Sequence, residues 1–170
     1  YSKSPIMEST YLENGKVVRT QENHRNFQNN NVELEYGGQL FDNLLSFKVY
    51  AGMKFYKSNG NQYTHHKSIP YYGGHISAYY KNFTMRWQFR KNVQDRFWGE
   101  TLYRYEDGHM LSFGYQTNKL SLSADVLNLF SLKHISAQEN YSSVAPYKRY
   151  EYLDETRNLI RLNLTLNLSY

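Results

Sequence analysis

The sequence predicts an all-β protein, an antiparallel up-and-down transmembrane β-barrel with about eight strands in this chain. Three observations support this prediction: apolar residues recur with a period of two, short and long connections alternate, and aromatic residues crowd near the strand ends. A chain of 170 residues suits one domain or a piece of a larger one. We therefore expect residues 1–170 to form one segment of a larger barrel.

The two-residue period is clearest at the C-terminal end of the chain. Its apolar members are Ile160, Leu162, Leu164, Leu166, Leu168 and Tyr170, and polar residues stand between them. Because successive side chains of a strand point to opposite faces, this alternation predicts a strand with one apolar and one polar face.

Upstream segments repeat the alternation, at residues 32–40, 45–55, 71–80, 83–89, 111–116 and 120–126. Residues 6–13, counted as a further strand, bring the total to eight, an even number typical of outer-membrane barrels. In residues 1–10, however, the apolar residues do not fall on one side of the strand. This pattern indicates the upper end of a strand whose first part precedes these residues. We therefore expect this chain to be the C-terminal part of its barrel.

The connections are of two kinds that alternate along the chain. Short ones are centred on Phe41 to Asn43, Lys81 and Asn82, and Asn118 and Lys119, and long polar ones cover residues 57–69, 91–108 and 131–156. Tight turns at one end and long loops at the other are the asymmetry of outer-membrane barrels.

A soluble β-sandwich would show the same alternation, with its apolar face buried in a core. Predicted strands of about ten residues favour the membrane, because about 9–11 residues cross a bilayer whereas soluble strands average about 5–6. Aromatic residues near the strand ends would form interfacial girdles. These residues are Tyr56, Tyr71, Tyr72, Tyr79, Tyr80, Phe83, Tyr115 and Tyr170.

Composition and motifs argue against several other functions. The net charge is +5, but lysine and arginine are scattered singly, which does not favour a nucleic-acid partner. The absence of cysteine excludes thiolate zinc sites and disulfides, and the six histidines show no ligand spacing. Nucleophile-elbow, phosphate-loop and zinc-protease motifs are absent as well. We expect no enzymatic activity, no cofactor and no metal.

Two sets of residues remain as functional candidates. The polar faces of the strands carry charged residues that would face the lumen, where they either pair across strands or guide a solute. Aromatic residues in the long connections could stack on sugars, contact a surface lipoprotein or pack within the loops. The lumen-facing set is Glu33, Glu35, Lys48, Lys54, Arg86, Arg90, Asp125 and Arg161. The loop aromatics are Tyr63, Phe97, Trp98, Tyr103, Tyr105, Tyr141, Tyr147, Tyr150 and Tyr152.

Three segments resemble TonB-dependent outer-membrane receptors of the Bacteroidota, including the SusC-like family. Residues 120–130 (LSLSADVLNLF) are similar to the late "sl.nv.NLF" strand, and residues 154–170 resemble the family's "D.R" ending with an aromatic last residue. Residues 11–23 with 31–35 are similar to an early hairpin pattern, although Asn31 stands where the family usually has glycine. The resemblance touches both ends of the chain, and the order and spacing of the motifs carry it.

The resemblance implies a bacterial outer-membrane transporter that takes up a glycan, a peptide or a metal chelate. TonB would supply energy through a plug domain that these residues do not contain, and a surface lipoprotein could be a partner. Outer-membrane lipid would surround the barrel. The barrel-assembly machinery would recognise a signal made of Leu164, Leu166, Leu168 and Tyr170.

Two alternatives stay open. A stand-alone eight-stranded barrel could act as a structural anchor or an adhesin. A soluble, aromatic-rich β-sandwich could bind carbohydrate.

Overall fold

The computed structural model describes residues 2–60, 63–105, 108–127, 136–151 and 160–166. Over these residues the chain is all-β, with fourteen antiparallel strands and no helix, which confirms the predicted class. No helix in these ranges is long and apolar enough to cross a membrane. The strands are β1 (Ser2–Lys3), β2 (Ile6–Glu13), β3 (Lys16–Asn23), β4 (Asn26–Leu40), β5 (Leu45–Asn59), β6 (Thr64–Tyr80), β7 (Phe83–Lys91), β8 (Arg96–Trp98), β9 (Thr101–Tyr105), β10 (Gly108–Gln116), β11 (Leu120–Leu127), β12 (Ser136–Asn140), β13 (Tyr147–Glu151) and β14 (Ile160–Leu166).

Eight of these strands form the main sheet, in the order β1-β4-β5-β6-β7-β10-β11-β14. From β4 onward the order follows the chain, as an up-and-down meander does. β1 pairs with β4 at Ser2 and Lys3, so within the described ranges most of β4 has one neighbour. Among the described residues β14 pairs only with β11, and the sheet does not close into a barrel.

Three tight turns lie at one end of the main sheet, where the sequence predicts them. Phe41, Asp42 and Asn43 adopt left-handed conformations with φ of 56°, 51° and 71° between β4 and β5, and Lys81 does so between β6 and β7 with φ of 52°. Between β10 and β11, the Thr117 amide donates a 2.7 Å hydrogen bond to the Leu120 carbonyl. We call this end of the sheet the turn end.

The long connections contain more strand than the sequence predicts. Most of residues 57–69 are paired, because β5 has 15 residues and β6 has 17 and their register continues to Asn59 and Thr64. Backbone pairing does not require apolar side chains, so the polar stretch concealed these strand ends. The predicted loops at residues 91–108 and 131–156 contain β8, β9, β12 and β13, which form a second sheet in the order β13-β12-β9-β8.

The interpretation of residues 6–13 as a strand of the barrel wall is wrong. β2 pairs with β3 over its whole length in a separate two-stranded sheet, from Ile6 with Asn23 to Glu13 with Lys16. The Asn14-Gly15 turn explains this pairing, since both residues have positive φ and close a two-residue hairpin.

The buried apolar core lies at the other end of the main sheet, which we call the covered end. It joins the β2 hairpin and the second sheet to the ends of β4, β5 and β6. Its members are Met7, Phe27, Tyr56, Ile69, Phe97 and Leu102.

Candidate functional site: two faces of the main sheet and its covered end

The strand register brings the predicted apolar faces together on one side of the main sheet. Residues directly opposite each other across neighbouring strands share a face. One cross-strand row runs through Gly38, Phe47, Ile76, Trp87, Leu111, Val126 and Ile160. The alternation read along each strand thus adds up to a continuous apolar surface.

The opposite side collects the polar residues in the same way. The adjacent row there runs through Gln39, Ser46, Ser77, Arg86, Ser112, Asp125 and Arg161. All eight residues predicted to face a lumen lie on this polar face, and their facing a lumen stays a prediction.

Exposure on the two faces differs from that in a soluble β-protein, because strongly exposed side chains lie on the apolar face and some buried ones lie on the polar face, although Glu33, Glu35 and Arg86 there are exposed. On the apolar face Leu34 is 79% exposed and Leu162 is 73% exposed. On the polar face Tyr71 and Ser77 are each only 3% exposed. An exposed apolar surface of this extent requires an apolar partner or environment.

A tyrosine and a glycine lock β4, β5 and β6 together on the polar face. The Tyr71 hydroxyl lies 2.8 Å from both Asn31 Oδ1 and Glu33 Oε2 on β4. To reach them its ring crosses Gly52 on β5, where a Cβ atom would stand 2.5 Å from the hydroxyl oxygen. Gly52 is therefore required by this close approach. An aromatic side chain covering a cross-strand glycine in this way also shields the backbone.

Charged groups on the polar face are used in different ways. Lys48 Nζ lies 2.8 Å from Glu35 Oε2, and both side chains are partly exposed. Lys54 instead donates to the carbonyl oxygens of Val93 and Asp95, at 2.6 and 2.9 Å. Lys54 thereby ties β5 to the connection before β8 at the covered end.

The covered end contains a buried polar network around Glu100. The Glu100 side chain is 2% exposed, and its Oε1 accepts hydrogen bonds from the Thr10 hydroxyl and from Asn140 Nδ2, the latter at 3.1 Å. His65 Nε2 lies 3.8 Å from the other carboxylate oxygen. One carboxylate thus connects the β2 hairpin, the second sheet and β6.

His24 lies beside this network and is also buried, at 2% exposure. Its Nδ1 lies 3.1 Å from Ser58 Oγ, and its Nε2 lies 3.9 Å from a Glu22 carboxylate oxygen. Burial lowers the pKa of His24 below its usual value, against the opposing charges of Glu22 and Glu100. The pKa of His65 is lowered by burial too, and Glu100 opposes that shift.

Sequence reasoning missed this network because its members are far apart along the chain. Thr10 and Glu100 are separated by 90 positions, and each stands among polar residues that suggest an ordinary loop. The scattered histidines were the one signal in the sequence, and here His24 is buried and His65 is partly buried, with its side chain 14% exposed. His24 and His65 contact carboxylates singly, and no described group of three or more histidine, aspartate or glutamate residues could hold a metal ion.

The predicted loop aromatics do not form one surface. Phe97 belongs to the buried core, at 1% exposure, so it is unavailable to a ligand. Trp98 is 42% exposed and its ring lies 4.9 Å from that of Phe27. Tyr63 and Tyr150 are exposed at separate places, and Tyr152 lies outside the described residues.

Four other tyrosines of that set each contact a cation. The Arg96 guanidinium lies 5.6 Å from the ring centre of Tyr103 and 5.7 Å from that of Tyr105. The remaining pairs are Arg19 with Tyr147 at 4.5 Å and Lys67 with Tyr141 at 3.9 Å. Cation–aromatic contacts of this kind stabilise the packing of the loops.

The predicted assembly signal is described only in part. Leu164 is 63% exposed on the apolar face opposite Leu122, and Leu166 pairs with Leu120. Leu168 and Tyr170 lie outside the described residues. Recognition of this segment by the assembly machinery stays a prediction.

Comparison of the chain with protein-family models, curated proteins and solved structures found no match. The functional argument therefore depends on the two faces of the main sheet and on the covered end.

Proposed function

We propose that this chain is part of the wall of a bacterial outer-membrane β-barrel, with its apolar face toward lipid and its polar face toward a lumen. The observation that carries the proposal is the exposed apolar face of the main sheet, where Leu34 and Leu162 are strongly exposed, while Tyr71 and Ser77 on the polar face are buried. Strands that cross a bilayer alternate in this sense, with apolar residues outside and polar residues inside.

The position of the second sheet argues against a soluble sandwich. A sandwich needs a second layer over its apolar face. Here Phe27, Tyr56 and Ile69, which contact the added elements, project from the polar side of β4, β5 and β6, in register with Lys54 and Glu33. The described layers therefore cover the polar side at one end and leave the apolar face open.

The open strands β4 and β14 favour a segment of a larger barrel over a complete eight-stranded one. Among the residues that the structure describes, only two of β4 have a partner on its outer side, where Ser2 and Lys3 pair with Phe27 and Asn26. Unpaired backbone groups in a bilayer cost several kcal/mol each, so these edges need further strands.

TonB-dependent uptake is the function we propose for that larger barrel, with a glycan, a peptide or a metal chelate as the solute. The support is the resemblance of residues 120–130 and 154–170 to that receptor family. The connections at the covered end fold over the polar side of the sheet. Loops that narrow the entrance of a barrel pore fold in the same way. Outer-membrane lipid, the barrel-assembly machinery, TonB acting on a plug and a surface lipoprotein would be the partners.

Single-cysteine labelling tests the orientation of the wall directly, because the chain contains no cysteine. Leu162→Cys and Asn163→Cys form a matched pair of neighbours on opposite faces of β14. With a nitroxide attached, position 162 should be accessible to oxygen and protected from a water-soluble nickel chelate. Position 163 should show the opposite pattern. Equal access of the nickel chelate to both sites in a detergent-free, water-soluble protein would contradict the membrane proposal.

Gel migration of the native protein, extracted with detergent and run with and without heating, tests the size of the barrel. We expect a heat-modifiable species several times larger than 20.3 kDa. A heat-modifiable species of 20.3 kDa would instead identify a complete small barrel and would contradict energised uptake.

A further inference from the structure

The apolar face of β5 stops before the strand does. On this side of the strand every second residue is apolar from Leu45 to Phe55, and the next two are Lys57 and Asn59. The ten residue steps from Leu45 to Phe55 give roughly 34 Å of strand, which a tilt of about 40° reduces to a height of about 26 Å. The apolar band of an outer-membrane barrel is about 25 Å tall. Lys57 is therefore the first residue of this face beyond such a band.

The neighbouring strands change from apolar to polar at the same level. We call the resulting group of side chains the boundary patch. The register of β4, β5 and β6 forms it from two cross-strand rows, Gln28 with Lys57 and His66, and Asn30 with Phe55 and Ser68. Its members include no carboxylate, and no ion pair joins Lys57 to a described acidic residue. The patch thus combines a cation with several hydrogen-bond donors, which is a composition that suits an anion.

The boundary patch also has space for a ligand. All six of its side chains line a cavity of about 140 Å³. That volume is several times the roughly 30 Å³ that one water molecule occupies in the liquid. Phe55 borders the cavity on the side of the apolar face and is 44% exposed, whereas Lys57 and His66 lie one row further out. A ligand in this cavity would therefore meet an apolar surface on one side and a cation on the other, as a lipid does at its headgroup.

We propose that the boundary patch binds the phosphate of a membrane-lipid headgroup at the water boundary of the covered end. The Lys57 ammonium group would attract the phosphate, and the Gln28 amide and a His66 ring N–H would donate hydrogen bonds to its oxygens. The acyl chains of the same lipid would lie along Phe55 and the apolar face below it. A free phosphate lacks this second contact, so the arrangement favours a lipid. The inference rests on the proposed function, because it requires the apolar face to contact a membrane.

Native mass spectrometry of the detergent-purified native protein, titrated with dioleoyl phosphatidic acid or with dioleoyl phosphatidylcholine, tests this site. We expect phosphatidic acid to bind more tightly than phosphatidylcholine. One basic residue near an anionic lipid surface is worth about fivefold in affinity, so Lys57→Gln should weaken phosphatidic acid binding by about that factor. Lys57→Glu also adds a repulsive charge and should weaken it about tenfold or more. The matched control Lys16→Glu makes the same charge change at an exposed position of β3, off the main sheet, and should change the affinity less than about twofold.

Several results would overturn the inference. Unchanged phosphatidic acid affinity in Lys57→Gln and Lys57→Glu would do so, as would an equal loss in the Lys16→Glu control. Displacement of the lipid by inorganic phosphate at the same concentration would assign the patch to a soluble anion instead of a lipid. Heat-modifiability of the same samples separates the two proposals. A heat-modifiable protein without a preference for phosphatidic acid contradicts only the lipid site, whereas a protein that is water-soluble without detergent contradicts the membrane proposal itself.

Discussion

The two ends of β5 and β6 differ in what covers their faces. At the turn end Ile76 is 40% exposed on the apolar face and no described layer covers the sheet. At the covered end Tyr56 and Ile69 are 6% and 4% exposed on the polar face, beneath the β2 hairpin and the second sheet. The apolar face stays exposed at both ends, since Phe55 near the covered end is 44% exposed, and only the polar face of these strands passes beneath a core. Alternation sets the face of a residue, whereas the layers above that face set its environment.

The comparison implies two kinds of stability in one sheet. The turn end depends on backbone pairing and on the medium around its apolar face. The covered end has its own small core and a buried polar network, so it should respond to mutations like a soluble domain. Four predictions test this difference, from the largest expected effect to the smallest.

Phe97→Ala should destabilise the covered end by about 3–5 kcal/mol, because it removes a buried aromatic ring from the core. The Phe97 ring lies 6.2 Å from that of Tyr56 and 6.3 Å from that of Tyr141. Hydrogen exchange should accelerate in β8, β9 and β12 and stay unchanged near the tight turns. Trp98→Ala, at an exposed neighbouring position, should have a smaller effect. Equal acceleration at both ends would show that the molecule unfolds as one unit.

Met85→Arg should impair barrel assembly, because it places a charge on the apolar face at a position that is 45% exposed. Arginine on the lipid face of a membrane barrel costs about 2–4 kcal/mol at the bilayer midplane and less toward the interface, so at Met85, two residues from Phe83, the cost should lie below that maximum. The neighbouring Thr84→Arg variant, on the polar face, is the control and should cost less. Folding into lipid vesicles, followed by heat-modifiability on a gel, measures both. If the two variants assemble equally well, the apolar face does not contact lipid.

Glu100→Leu should loosen the β2 hairpin from the second sheet. It leaves the Thr10 hydroxyl without its acceptor, at about 1–3 kcal/mol for a buried group, and leaves the Asn140 amide with Thr101 Oγ1 alone, at 3.1 Å. Limited proteolysis within β2 and β3 should become faster. Glu100→Gln keeps one acceptor oxygen and should lie between wild type and Glu100→Leu. Unchanged cleavage in Glu100→Leu would mean that the network does not hold the hairpin.

Acidification should also weaken the covered end. His24 and His65 have pKa values lowered by burial, so the unfolded chain binds more protons than the folded one once the pH falls below about 6.5. Their contribution to stability is complete above that pH and is lost as the pH falls toward the folded-state pKa. The protection factors for hydrogen exchange in β2 and β3, corrected for the intrinsic exchange rate at each pH, should therefore fall from pH 7.5 to 5. The double variant His24→Gln with His65→Gln should lose most of this pH dependence, and an unaltered dependence would assign it to other groups.

Much of the main sheet could be predicted from local pattern. The two faces, the three tight turns and the alternation at residues 160–166 follow from side-chain geometry along a single strand, which neighbouring sequence determines. The same pattern placed all eight charged candidates on one face. It missed β8, β9, β12 and β13, because strands of three to five residues are too short to show the alternation that identifies a strand in sequence.

Other features depended on contacts between distant residues, which no local pattern encodes. Asn14-Gly15 is a local signal for a hairpin, but it does not say which sheet the hairpin joins, and the pairing of residues 6–13 with residues 16–23 alone places it outside the main sheet. Glu100 became a buried centre because Thr10, His65 and Asn140 meet it from three separate elements. The sequence by itself determined an all-β chain with two-faced strands, since that needs only the two-residue period. The tertiary structure decided which face is covered and at which end, because burial depends on layers that come from distant parts of the chain.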